Sequence, residues 1–130
     1  MSCVVPLAAA IRFEPTSAAD APTYDNDASI HITSGPSYSS QAGNANATPS
    51  GVAHVDLYVQ GPGDADFGAT PVDSNATGVF NYSTSGDGTY YFKTIATDVA
   101  GNVETDTGSD DQTNEDQTKP TSKADAPTYD

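Results

Sequence analysis

The chain has 130 residues, of which 35% are hydrophobic, and its four Lys or Arg face eighteen Asp or Glu for a formal charge of −14. That length and apolar content allow one domain with a modest core, while the charge disfavours DNA, RNA and anionic membrane surfaces as partners through long-range repulsion. No apolar stretch is long enough to cross a bilayer, and the single cysteine, Cys3, excludes an intrachain disulfide and a thiolate metal site.

In chain order, residues 1–11, "MSCVVPLAAAI", carry no basic segment ahead of their apolar part, so their likeness to the tail of a secretion signal is weak. Residues 15–25, "PTSAADAPTYD", return at 120–130 as "PTSKADAPTYD", with Lys123 in the place of Ala18. A spacing of 105 residues suits one ordinary domain. The expected organisation is an extension over 1–14, one repeat unit over 15–119, and the opening of the next unit over 120–130.

Within the unit the apolar residues alternate. "ASIHITSG" puts Ile30 and Ile32 on one face and His31 and Thr33 on the other, and "VAHVDLYVQGPG" does the same with Val55, Leu57 and Val59 until Pro62 and its flanking glycines stop it. "GATPVDS" reads as a weaker extended piece. "GVFNYSTSGDG" pairs Phe80 with Tyr82 ahead of a tight turn, and "TYYFKTIATDVAGN" is the clearest strand, with Tyr90, Phe92 and Ala96 on the core face. No window holds a helical period, so the expected fold is an all-β antiparallel sandwich of about seven short strands of the immunoglobulin type.

"SGVAHVDLYVQGPGDADF", "GVFNYS" and "DGTYYFKTIATDVAGNVE" resemble the middle and late strands of the bacterial immunoglobulin-like repeats, relatives of fibronectin type III domains that occur in tandem in large surface and secreted proteins. The resemblance covers about residues 15 to 120. It implies a stalk, adhesin or fibre module outside the cell, with neighbouring copies of itself as partners. One departure stands out: "TDTGSDDQTNEDQTKP", after Glu104, has no apolar residue for a last strand to turn inward. That strand is expected to be a polar edge strand or to have its edge covered, for which "VVPLAAAIRF" is a candidate donor strand in a neighbouring chain.

Catalysis finds little support. His31 and His54 fall on strand faces away from the expected core, and neither a nucleophile elbow nor a phosphate-binding glycine loop is present. Calcium is the cofactor the acids favour, since it takes six to eight oxygen ligands. "YDND" groups Asp25, Asn26 and Asp27, "GDADFG" places Asp64 beside Asp66, and "SGDG" adds Asp87. In a sandwich of this type those connections share the pole at which the chain leaves for the next unit, where Asp125 follows. The arrangement is analogous in mechanism to the acidic linkers of cadherins, although order and spacing differ. Turn-making is the competing role for the same residues, and it is the preferred one for Asp98, which otherwise joins the secondary metal candidates. Asp106, Asp110 and Asp111, within a run of six carboxylates, are a secondary candidate set for a second ion. Sequons at Asn46, Asn75 and Asn81 would accept glycans in a secretory pathway. Two other functions remain open: a glycan- or protein-binding module using Tyr38, Tyr58 and Tyr91, and an accessory domain of a secreted hydrolase.

Overall fold

The computed structural model describes residues 14–38 and 50–129, and among these it is all-β without a helix. Nine strands follow in order: β1 Pro15–Thr16, β2 Tyr24–Asp25, β3 Ser29–Thr33, β4 Ser37–Tyr38, β5 Val52–Gln60, β6 Asp73–Asn75, β7 Val79–Ser83, β8 Gly88–Asp98 and β9 Asp111–Glu115. β2, β9, β8, β5 and β6 form a five-stranded sheet in that order, β3 pairs with β7, and β1 pairs with β4. All pairings are antiparallel except the parallel contact of β2 with β9.

The alternation in the sequence becomes the core. Ile30, Ile32 and Phe80 from the β3–β7 pair meet Val55, Leu57, Val59, Tyr90, Phe92 and Ala96 from the larger sheet, all buried. Two sheets closing on one core make the arrangement of a β-sandwich. Each large apolar side chain removed from water contributes about 1.5–3 kcal/mol. Of the expected core residues only Tyr82 is partly exposed, and it packs edge-on against Phe92 with ring centroids 6.2 Å apart. Ala19 and Pro15 are buried as well, which no alternation in their segment announces.

The last strand follows the second of its two expected forms, a covered edge, but the cover comes from the same chain. β9 is no edge strand: it lies between β2 and β8, and the chain's own Tyr24–Asp25 covers its outer side. The core-facing positions of β9 are Thr113 and Glu115, at 0% and 3% exposure. Polarity there is tolerated because the Thr113 hydroxyl donates to the Pro22 carbonyl at 2.7 Å. The segment considered as a donor strand, up to Phe13, lies outside the described residues. Glu14, the last residue of the expected extension, accepts from the Thr105 amide at 2.7 Å.

At one end of the sandwich β8 begins on Gly88, whose φ of +142° and close approach to Pro62 leave no room for a Cβ. The loop after β5 is thereby locked against the β7–β8 turn.

Candidate functional site

Four connections share that end. The 25–28 turn touches the β7–β8 turn through the Thr84 amide, which donates to the Ala28 carbonyl at 2.9 Å. The 61–68 loop reaches the same place through Pro62 and Gly88. Asp87 ties in the outgoing segment, accepting from the Gln117 amide at 2.9 Å and the Thr118 hydroxyl at 2.6 Å. The convergence of the loops holding Asp25, Asn26, Asp27, Asp64, Asp66 and Asp87 is therefore as the topology of a sandwich requires.

Each of these carboxylates also serves a nearby amide. Asp25 Oδ1 accepts from the Asn26 and Asp27 amides at 2.7 and 3.1 Å, and Asp27 Oδ1 accepts from Ser29 at 2.7 Å. Asp64 Oδ2 accepts from the Gly61 amide and Asp66 Oδ1 from the Gly68 amide, both at 2.9 Å. The bonds of Asp25, Asp27 and Asp66 to the amide two residues on are Asx turns, and that of Asp64 closes the loop back onto Gly61. Asn26 lines two shallow surface pockets at this end, one shared with Pro22, Tyr24, Asp25 and Asp116, the other with Asp116, Gln117, Thr118, Lys119 and Pro120. Asp125 lies in the exposed 120–129 segment. Among the described residues, no group of three or more His, Cys, Asp or Glu stands close enough to hold a metal ion.

Glu115 is the residue of this end that sequence reasoning passed over. Its Oε1 accepts from Gln117 Nε2 at 2.7 Å, while Oε2 is buried without a hydrogen-bond partner. An unpaired buried carboxylate oxygen is costly. The only advance signal was position: it follows Thr113 by two on a strand paired with the strongly apolar β8.

The secondary set is spread out. Asp98 sits at the opposite end of β8 and accepts from the Asn102 backbone amide at 2.7 Å and from its side-chain amide at 3.0 Å, the turn-capping role expected of it. Asp106 accepts from Lys93 Nζ at 2.6 Å and from the Gly108 amide at 2.8 Å. The Lys93 ammonium also lies 5.0 Å from the Tyr58 ring centre and 4.9 Å from that of Phe67. Tyr58 is thus occupied by a cation from its own chain. Tyr91 is 37% exposed.

Asp110 and Asp111 hold the N-terminal segment in place together with Glu104. Asp110 Oδ2 accepts from the Ala19 amide at 3.0 Å and the Thr94 amide at 2.9 Å. Glu104 accepts from the Ser17 amide and hydroxyl at 2.8 and 2.6 Å and from the Ala96 amide at 2.8 Å. Asp111 Oδ2 accepts from the Ala21 amide at 2.9 Å. On the β8 side carboxylates accept from the Ser17, Ala19 and Ala21 amides, while on the other side the Ala18 and Asp20 amides donate to the Ser34 and Thr33 carbonyls. Such charge-assisted bonds are stronger than neutral ones.

Three carboxyls titrate below their ordinary value of 3.8: Asp87 through the Thr118 hydroxyl and then the Gln117 amide, Asp98 through the Asn102 side chain, and Asp106 through Lys93 and then the Gly108 amide. A carboxyl lowered in the folded state stabilises fully above its unfolded value and loses that contribution as pH falls through the folded one. The melting midpoint is therefore expected to stay level from neutral pH to about 5 and to drop below about 4. Thermal melts across that range check it. A midpoint rising in acid would mean that relief of the −14 charge outweighs these bonds.

No family model, curated protein or solved structure matches the chain.

Proposed function

We propose that the chain is one unit of an extracellular tandem-repeat protein, an immunoglobulin-like sandwich whose work is mechanical, as part of a stalk, adhesin or fibre. The observation that carries this is the fate of the duplicated stretch. Its first copy, residues 15–25, supplies β1, β2 and the buried Pro15 and Ala19. Its second copy, residues 120–130, is exposed over its described part and free of strand pairing, as the opening of a following unit would be. The first copy runs from the Ala96 level of β8 to the Gly88 level, and the chain departs after β9 from that second end. Units joined this way stack end to end, and length is gained by nearest-neighbour repetition.

The immunoglobulin-like assignment is supported by strand order. β3 and β7 form one layer, β9, β8, β5 and β6 the other, and β2 crosses to lie parallel to the last strand. A seven-strand Greek-key sandwich with its early strand shared between layers has this pattern.

Calcium at the junction belongs to the same proposal. One unit alone lacks a metal-holding group of acids among its described residues, so the donors fit only if the next unit completes them. In favour stand the acidic loops gathered at the departing end and the orphaned Glu115 Oε2 beneath them. Bound there, calcium would offset the repulsion between carboxylates and stiffen the joint. Two consecutive units should melt higher and scatter as a more rigid rod with millimolar calcium than with chelator. Asp64→Asn with Asp66→Asn should remove most of that response, while Asp56→Asn keeps it. An unchanged midpoint and shape would end the calcium part. Full glycan or protein binding by a single isolated unit would favour a recognition module instead.

A further inference from the structure

We infer that residues 120–130 of one chain can replace residues 15–25 in the cleft of a second copy of the chain, so that separate molecules link head to tail by strand exchange.

The side chains that matter are few. Pro15 and Ala19 are buried, and the Ser17 hydroxyl bridges Glu104 and Thr94 Oγ1, at 2.6 and 2.8 Å. Their counterparts Pro120, Ala124 and Ser122 are identical. The one difference between the copies is Lys123 for Ala18, and Ala18 is exposed. It adds a cation to an occupant held by three carboxylates in a chain of net charge −14. That tilts the competition toward the second copy.

The exchange must be between molecules. Glu115 lies opposite Gly88, whereas Ser17 shares the Glu104 carboxylate with the Ala96 amide, eight residues along β8 or about 26 Å away. Pro120, standing in for Pro15, would have to lie farther than that. The five residues from Glu115 to Pro120 span at most about 18 Å. A head-to-tail link with unlike donor and acceptor surfaces extends into chains unless its rotation closes a ring, and either product is larger than a monomer.

The test uses the full chain, unfolded and refolded dilute or concentrated, with mass read by light scattering on a sizing column. Concentrated refolding should give a ladder of dimers and longer species. Ala124→Arg, which puts a charge where the counterpart Ala19 is 5% exposed, should lower the oligomeric fraction roughly tenfold or more. The monomer's melting midpoint should not change, because Ala124 is exposed in the unexchanged chain. Lys123→Ala should weaken the ladder, and high salt should weaken it in the wild type alone. A wild type that stays monomeric, or an Ala124→Arg variant with an undiminished ladder, overturns the exchange. Neither result touches the tandem-repeat reading, which requires only that the next unit follow covalently.

Discussion

Glu104→Ala is expected to lower the unfolding free energy by about 3 kcal/mol, counting one to two for each buried amide left without an acceptor. Glu104 is the single acceptor for the Ser17 amide, the Ser17 hydroxyl and the Ala96 amide. Ala96 is completely buried, so water cannot take the lost place. Glu104→Gln keeps one acceptor oxygen and should lose about half as much. Equilibrium denaturation gives the magnitude, and hydrogen exchange gives the location: the Ala96 amide should exchange much faster in the alanine variant while the Phe92 region keeps its protection. A loss below about 0.5 kcal/mol, typical of an ordinary surface position, would show that the carboxylate is not a structural rung.

The same residue shows where sequence reading reached its limit. β3, β5 and β8 were legible because burial on one face of a pleated strand writes a period of two, as in Ile30–Ile32 and Val55–Leu57–Val59. β1, β2 and β4 are two residues each, too short for any period to mark their bounds. For β9 a covered edge was one of two expected forms, but its inward residues, Thr113 and Glu115, give no apolar period to tell it from an open edge. A polar side chain that finds an internal partner is indistinguishable in sequence from one that faces water. The acids pose the same problem at greater scale. Asp110 as an ion ligand and Asp110 as the acceptor for Ala19 and Thr94 use the same oxygens, and only the approach of residues 17–21 decides between them. The gathering of acidic loops at one end was readable because it follows from strand order, which sets the ends at which loops lie whatever their side chains do.

Tyr90→Ala should be the most damaging single substitution, lowering stability by about 4 kcal/mol, while Tyr90→Phe should lose only about 1–2. The ring is 1% exposed and has the largest volume among the fully buried side chains. It stands 5.9 Å from the Tyr82 ring and against Gly61, so its removal opens a cavity where the two sheets and the 61–68 loop meet. The hydroxyl has a separate task, donating to the Gly86 carbonyl at 2.8 Å and accepting from the Ser85 amide at 3.2 Å. Those bonds fix the β7–β8 turn that presents Asp87 to Gln117 and Thr118. The two variants therefore separate packing from turn geometry. Phenylalanine should leave the core intact yet loosen the 84–88 turn, seen as faster exchange of the Gln117 amide and a melting midpoint lowered far less than by alanine. If phenylalanine instead proves as damaging as alanine, the turn at the departing end is itself a major source of stability. In the proposed tandem arrangement, the joint would then depend on it even without calcium.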